Sequence, residues 1–588
     1  MTAIESRGAF QGAASLTERG QLWLQRHAGP LTVFAILSGL WTIVSWPKGV
    51  EQCTSDLWIY FGMALKAEHP DLLTRDLLFG DTANYAEWPL FTAYLRLFYR
   101  LTGDLTFGLK VLTFPLNLLF MAGAYAVFLE LMRVRWAAAF LAALAAAPMG
   151  IPASAEIFGI GPATQFVPRT LFTAVFPFVW WAYVRGVTRD DPRLLSLSFL
   201  AVGLLANVHG ISGFLLTQIL LAVTFFQLGV NWRSLLRCLR LGLLAGVGAL
   251  PLAIAVFMRP AVPTEAAPVE TLIEVFQARN PYLYPQTVLL DHMPAMVLHA
   301  VTVFLLVAIP VGMFLRGRRT SDPPGAWLLG LAVAASWYMI YSLRALPLLA
   351  WFTATLLLVR RVPFGRVERV AISFGLATFL VGVGGVLFLQ GLYLGFGIPP
   401  FAALHQFRAI RFSGFAVFLL VAIAFARLSA SWRDLGRYVR YACILLTVFA
   451  VGVTARDVYR TYVWTRRDVA RADLVDVALW ARTSTSRDAL FLLDSPLFRI
   501  VAQRSLVAST KDIGMLFMVR RHILEASRRV EEQRAAGDDV AALARVAEKY
   551  RADYVVVRSR ALQEEGGLTV AYRNSSYAVL ACRTIGCG

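Results

Sequence analysis

Charged residues are scarce in this chain. Asp, Glu, Lys and Arg together make up 16% of its 588 residues, whereas 58% of the residues are hydrophobic. The mean hydropathy is +0.60. This composition is too apolar for a soluble protein of such a size, so we expect a membrane protein.

Several chemical signatures are absent as well. Five cysteines are too few for a disulfide scaffold, although Cys582 and Cys587 are close enough in sequence to form one small loop. The sequence contains no glycine-rich phosphate loop, no zinc-ligand spacing and no Ser/His/Asp order typical of a catalytic triad. It therefore gives no support to nucleotide-driven transport.

Basic residues are in excess, with 56 Lys and Arg against 37 Asp and Glu and a net charge of +19. Arginine clusters lie on every second connection between the apolar segments, which is the positive-inside pattern of a polytopic membrane protein. Topology thus explains much of the excess, and we expect no nucleic-acid partner. The clusters that mark the predicted cytoplasmic side are Arg7/Arg19/Arg26, Arg133/Arg135, Arg185/Arg189/Arg193, Arg233/Arg237/Arg240, Arg316/Arg318/Arg319, Arg360/Arg361/Arg366 and Arg427/Arg433/Arg437/Arg440.

The apolar segments predict the fold class: a polytopic α-helical membrane protein with about 11–13 transmembrane helices and a C-terminal extracytoplasmic α/β domain. An odd number of spans places the N-terminus in the cytoplasm and the C-terminus outside a bacterial inner membrane. The predicted domains are a cytoplasmic segment 1–29, a transmembrane domain 30–456 with a long outside loop 47–105, and a soluble domain 457–588. The predicted spans are 31–46, 106–132, 136–150, 166–184, 194–207, 210–229, 241–258, 295–315, 326–342, 345–359, 370–390, 412–427 and 441–456.

The outer side of the membrane is expected to carry a cavity. Spans 194–207 and 345–359 are short for a bilayer, and helices that break near the membrane face need protein or water to satisfy their backbone. In the outside loop, residues 56–66 and 88–101 are predicted to form amphipathic helices on the membrane surface.

The last 130 or so residues have the composition of a soluble domain, with alternating elements that predict a mixed sheet. The predicted helices are 474–482, 513–534 and 540–550, and the predicted strands are 489–493, 506–509, 554–558, 568–572 and 577–582.

The outside loop holds the most informative carboxylate. Asp56 and Tyr60 are four residues apart and share one face of a helix. Asp56 could act as a general base towards an acceptor hydroxyl, or it could simply cap the helix. Asp76 is a second candidate, for substrate binding or metal coordination, with a local pair to Arg75 as the alternative. A divalent metal is possible, but no residue spacing requires one.

Other polar residues fall at the predicted outer face, against the positive-inside trend. They are Arg169, His209, Arg344, His405, Arg408 and Arg411. A guanidinium suits a phosphate, so the arginines could bind a lipid-linked phosphate, or they could pair with nearby carboxylates or headgroups. His209 lies where two short spans meet and could line the cavity, although a packing role is the alternative.

Taken together, these features resemble the GT-C superfamily of membrane glycosyltransferases. The resemblance rests on a first span followed by a long outside loop with an early aspartate, on the number of spans, and on the soluble tail. A tail segment, Trp480-Ala-Arg-Thr-Ser-Thr-Ser-Arg-Asp-Ala-Leu-Phe-Leu-Leu, and Gln503-Arg504-Ser505 are similar to uncharacterised bacterial members. The chain departs from the family in one respect, since Leu57 follows Asp56 where an acidic pair is common.

The resemblance implies a reaction. A sugar would pass from a polyprenyl-phosphate donor to a glycan, lipid or protein acceptor on the outer side, usually with inversion, in contact with membrane lipids. Asp56 would be the base, with Asp76 in reserve, and Arg408 and Arg411 would bind the donor phosphate. The alternatives are a non-catalytic scaffold of the same fold, a polysaccharide ligase, or a lipid or polysaccharide transporter. A transporter would be expected to show internal repeats and ionisable residues within the spans, and we find neither in the sequence.

Overall fold

The computed structural model describes most of the chain. Its described residues are 16–46, 49–53, 55–80, 89–146, 149–151, 156–158, 167–229, 231–257, 364–396, 406–430, 469–519, 522–561 and 569–582, with the single positions 271, 274, 275, 278, 452, 455 and 459. The predicted spans 295–315, 326–342, 345–359 and 441–456 lie outside these ranges, as does the predicted domain boundary at 456/457.

Long helices make up the first part of the described chain. In order they are α1 (Leu16–Ser45), α2 (Ser55–Glu68), α3 (Pro89–Thr102), α4 (Phe107–Met132), α5 (Arg135–Ala146), α6 (Pro168–Thr188), α7 (Pro192–Ala206), α8 (Gly210–Leu228), α9 (Trp232–Gly248) and α10 (Leu250–Phe257). A short hairpin, β1 (Met149–Ile151) and β2 (Glu156–Phe158), separates α5 from α6. Farther along, α11 (Arg366–Phe379) continues through a π turn (Leu380–Gly384) into α12 (Gly385–Phe396), and a 3₁₀ turn (Phe407–Phe412) leads into α13 (Ser413–Ala430).

Five helices within the described ranges are long and apolar enough to cross a membrane: Gln25–Val44, Phe107–Met132, Pro168–Thr188, Gly210–Leu228 and Arg366–Leu389. Two shorter apolar helices, Arg135–Ala146 and Pro192–Ala206, pack among them. The polytopic helical membrane class is confirmed, and the corresponding predicted spans agree with these helices to within six residues at either end.

The two ends of the helical bundle differ in charge. At one end the arginine clusters meet: Arg185 donates to Glu130 at 3.1 Å, and Arg366 donates to the carbonyl of Thr188 at 3.1 Å. Because the helices alternate in direction, the start of α6, the junction of α7 and α8, and the 3₁₀ turn all lie at the opposite end. The arginine-rich connections that the structure describes therefore share one end, as the positive-inside pattern requires.

Helix α2 lies deeper than the sequence predicted. Most of its residues are buried, and its two sides belong to different cores. Leu57 and Phe61 belong to a large core that joins the helical bundle to the C-terminal domain, whereas Ile59 and Met63 belong to a second core with other residues of the loop and of the C-terminal domain. The prediction of a helix on the membrane surface is thus wrong for α2, because the C-terminal domain covers the face that would otherwise meet lipid or water.

The C-terminal domain is the predicted α/β unit with a mixed sheet. Its elements are α14 (Val469–Ser484), β3 (Leu490–Leu492), α15 (Pro496–Ala502), β4 (Ser505–Leu506), α16 (Thr510–Val519), α17 (Ile523–Ala536), α18 (Val540–Tyr550), β5 (Tyr554–Arg558), β6 (Thr569–Arg573) and β7 (Tyr577–Ala581). The strand order is β4-β3-β5-β7-β6, with β3 parallel to both neighbours and the last three strands antiparallel. The predicted helix 513–534 is in fact two helices, and the sequence patterns did not predict α15.

Close backbone packing joins α7 to α9 through glycine. A Cβ atom on Gly203 would lie 2.0 Å from the carbonyl oxygen of Ala245, and one on Gly248 would lie 2.5 Å from that of Leu200. Asn207 then bridges to α10, donating to the carbonyl of Gly248 at 2.9 Å and accepting from the amide of Leu252 at 2.8 Å. Small residues allow this approach, as is common where helices pack in membranes.

We therefore predict that Gly203→Ala lowers the free energy of unfolding by about 1–3 kcal/mol, because α7 and α9 must move apart to admit the methyl group. Gly246→Ala, in the same pair of helices, should be neutral, since a Cβ atom added there would have nothing within 4 Å. Thermal unfolding of both variants in detergent measures the difference, and equal midpoints would contradict the packing argument.

Candidate functional site

Asp56 lies in the first turn of α2, at the bundle end opposite the arginine clusters. Its Oδ1 accepts a hydrogen bond from Nζ of Lys511 at 2.8 Å, and half of the carboxylate side chain, 50%, stays accessible. Lys511 belongs to the first turn of α16, so the C-terminal domain supplies a cation to a residue of the outside loop. A carboxylate in the first turn of a helix interacts favourably with the helix dipole, so the position of Asp56 suits both a stabilising and a chemical role.

The charge around Asp56 is strongly positive. Burial by the surrounding protein acts to raise the pKa of Asp56, but the charge and hydrogen bond of Lys511 and the charges of Arg169 and Arg408 together outweigh it. The net result is a pKa below the ordinary value for aspartate. Asp56 is therefore ionised at neutral pH while remaining open to a ligand.

The three cations come from separate parts of the chain. Arg169 begins α6, Arg408 lies in the 3₁₀ turn, and Lys511 begins α16. The structure thus brings together three of the residues that the sequence singled out, Asp56, Arg169 and Arg408. It adds Lys511, which carries no local signal because its contact with Asp56 spans 455 positions.

Arg411 occupies a buried cluster beside this site. It is 5% exposed, and its Nη2 donates to Oγ of Ser212, which is also hydrogen bonded to Nδ1 of His209. Nδ1 of His209 accepts from the amide of Ser212 at 3.2 Å and so caps α8. The guanidinium of Arg411 also lies over the ring of Phe412, 4.9 Å from its centroid. Arg411 and His209 therefore anchor the turn that carries Arg408, and neither is directed at Asp56 by these contacts.

Tyr60 lies one helical turn beyond Asp56, as the spacing predicts. It is half-buried, and its ring packs edge-on against Phe91 of α3 at 5.2 Å. Its predicted contact with substrate stays a prediction. Arg344 and His405, the other two predicted binding residues, lie outside the described residues.

Asp76 is part of a buried ion-pair cluster and not of the site around Asp56. Its Oδ2 accepts from Nε of Arg499 at 2.7 Å, and both side chains are 0% exposed. The carboxylate also accepts from the amide of Leu78 at 3.0 Å and from that of Leu506 at 3.0 Å. Asp76 therefore has a structural contact in the described residues, and its predicted contact with substrate or metal stays a prediction.

Arg499 joins a second carboxylate in the same cluster. Its Nη1 and Nη2 donate to the two carboxylate oxygens of Asp512 at 2.9 and 2.7 Å. Asp512 in turn accepts from the amide of Ser509 at 2.9 Å, which fixes the start of α16. Since Asp512 directly follows Lys511, the cluster Asp76–Arg499–Asp512 fixes the backbone from which Lys511 reaches Asp56.

Within the described ranges, no three His, Cys, Asp or Glu side chains come together in a way that could hold a metal ion. The positive partners of Asp56 also make its carboxylate a poor site for a cation. The use of a metal stays an open prediction.

Comparison with protein-family models finds no match, and neither does comparison with curated proteins. Among solved structures, the chain is similar to the crystal structure of ArnT from Cupriavidus metallidurans bound to undecaprenyl phosphate. The identity is 15% and the TM-score 0.41, over 95% of this chain and 98% of that chain. An identity and a TM-score this low assign neither a family nor an activity, so the functional argument depends on the chain's own residues.

We predict that Arg499→Met destabilises the protein by about 3–5 kcal/mol, because two carboxylates would remain buried without their cation. Arg487→Met is the matched control: Arg487 also joins the C-terminal domain to the loop, through Asp71 at 2.8 Å, but both side chains are exposed. The control should change stability little. Thermal unfolding combined with limited proteolysis measures both, and equal behaviour of the two variants would exclude a special role for the buried cluster.

Proposed function

We propose that the protein is a membrane glycosyltransferase that moves a sugar from a polyprenyl-phosphate donor to an acceptor hydroxyl, with Asp56 as the general base. The observation that carries this proposal is the accessible, ionised carboxylate of Asp56, which lies near Lys511, Arg169 and Arg408. The resemblance of the sequence to the GT-C superfamily supports the same reaction class.

The cations suit the leaving group. Lys511, Arg169 and Arg408 all lower the pKa of Asp56, so the site gathers positive charge that also suits a bound anion. A phosphate monoester is such an anion, and fixed cations stabilise the negative charge that develops on it as the glycosidic bond breaks. Since Arg169 begins an apolar helix long enough to cross a membrane, a donor phosphate bound near Arg169 could keep its isoprenoid chain among lipid-facing helices.

Asp56 suits the acceptor. Its carboxylate would take the proton of the acceptor hydroxyl as that oxygen attacks the anomeric carbon, and the bond between the anomeric carbon and the phosphate oxygen would break on the opposite side. The products are the new glycoside and polyprenyl phosphate, with inversion at the anomeric carbon. Lys511, which contacts Asp56 directly, gains a second anionic partner when the donor phosphate arrives.

Transfer in vitro tests the proposal. Purified protein would be mixed with two panels of donors, polyprenyl-phosphate sugars and polyprenyl-diphosphate sugars, and with lipid, glycan and protein acceptors. The release of polyprenyl phosphate or polyprenyl diphosphate would be measured. We expect Asp56→Asn to lower kcat/KM by roughly 10²–10⁴-fold, because the amide cannot accept the proton. Asp71→Asn is the control, since Asp71 is an exposed carboxylate of the same loop.

Each other outcome has a definite meaning. Equal release by the native protein and the Asp56→Asn variant would contradict the role of Asp56. Release only from lipid-diphosphate donors would replace the proposal with a ligase or polymerase. No release from any donor by folded protein would contradict an enzymatic function and favour the scaffold.

The contact between Lys511 and Asp56 predicts how the activity depends on pH. Activity that requires ionised Asp56 falls only as the pH drops through the pKa of Asp56, which is held below its ordinary value. In Lys511→Gln the largest cause of that lowering is removed, so the pKa rises and the acid limb of kcat/KM should move to higher pH. Lys549→Gln, a variant of an exposed lysine in the same domain, should leave the acid limb in place. If the acid limb does not move in Lys511→Gln, then either Asp56 is not the general base or Lys511 does not lower its pKa.

A further inference from the structure

A cavity lies at the arginine-rich end of the bundle, far along the helices from Asp56. It has a volume of about 380 Å³ and forms where the end of α6, the start of α7, the end of α8 and the starts of α9 and α11 meet. This volume is within the range of about 300–1,000 Å³ that is typical of ligand sites. The proposed transferase reaction makes no use of this cavity.

The wall of the cavity carries three arginines, Arg237, Arg366 and Arg369. Arg366 is engaged, since its two terminal nitrogens donate to the two carboxylate oxygens of Asp190 at 2.7 and 2.6 Å. Within the described ranges, neither Arg237 nor Arg369 forms an ion pair. Among the described lining residues, positive charge is therefore in excess, since Asp190 is the one carboxylate among them.

The rest of the lining combines polar and apolar groups. Gln227 donates to Oγ of Ser373 at 2.8 Å and provides a polar edge beside the arginines. Ile372 and Leu376 line the deeper side. On the outside of the same end, α9 presents exposed leucines such as Leu239, which is 59% exposed, so an apolar surface borders the cavity.

We propose that this cavity binds the phosphate headgroup of an anionic phospholipid from the membrane leaflet at the arginine-rich end. Arg237 and Arg369 contact the phosphate, and the acyl chains lie along the apolar surface of α9. Basic pockets between transmembrane helices bind anionic headgroups by this combination of cations and adjoining apolar surface. A free phosphate ion shares the anionic part of this chemistry but makes no use of the apolar surface.

Native mass spectrometry of the full chain, released from nanodiscs of phosphatidylcholine with phosphatidylglycerol, tests the site. The native protein should retain phosphatidylglycerol in preference to phosphatidylcholine. The double variant Arg237→Gln/Arg369→Gln should bind phosphatidylglycerol roughly thirty-fold more weakly, since each arginine near a membrane surface contributes about five-fold. The control is Arg233→Gln/Arg240→Gln, which removes two exposed arginines of α9 that do not line the cavity.

The comparison separates the alternatives. Loss of phosphatidylglycerol from the cavity variant but not from the control supports the proposal. Equal retention by the two variants, or equal loss from both, would overturn it, because binding would then follow general surface charge. Displacement of phosphatidylglycerol by inorganic phosphate at equal concentration would also overturn it, by assigning the cavity to a soluble anion.

Discussion

The double ion pair of Arg499 is the interaction on which the candidate site depends. One guanidinium, fully buried, holds Asp76 of the outside loop and Asp512 of the C-terminal domain. Burying three charges costs desolvation free energy, which bidentate contacts and hydrogen bonds from backbone amides must offset. The amides of Leu78, Leu506 and Ser509 supply those extra hydrogen bonds. The loop and the domain therefore take one relative position, because any other leaves a buried charge without its partner.

This fixed position gives the C-terminal domain a direct part in the site. Asp512 lies next to Lys511 in the chain, so the same contact that holds the domain also places a cation 2.8 Å from Asp56. The domain packs against α2 and most of the helix is buried, whereas Asp56 in its first turn stays exposed. A site assembled from a loop, two membrane helices' ends and a soluble domain needs all of them in place before its charges converge.

Local patterns in the sequence predicted a large part of this structure. Hydrophobic runs predicted α4 to within a residue, and the run of valines within Tyr554–Arg558 predicted β5. Asp56 and Arg408 were identified by residue type and side of the membrane. The burial of α2, the role of Asp76 and the contact of Lys511 were not predictable, because each depends on a partner more than 400 positions away, and periodicity reports only which face is apolar and not what covers it.

Arginine has two different uses at the two ends of the bundle. At the arginine-rich end, side chains such as Arg366 are exposed or pair with local carboxylates, which is sufficient for orientation in the membrane. At the other end the positive-inside rule disfavours arginine, yet Arg411 is buried there, and Arg408 and Arg169 lower the pKa of Asp56. Desolvation makes such positions unfavourable unless the cations have a partner. Lys511, Arg169 and Arg408 come from three separate parts of the chain to lie near one carboxylate, and this gathering of cations is the physical argument for a phosphate-bearing substrate at this end.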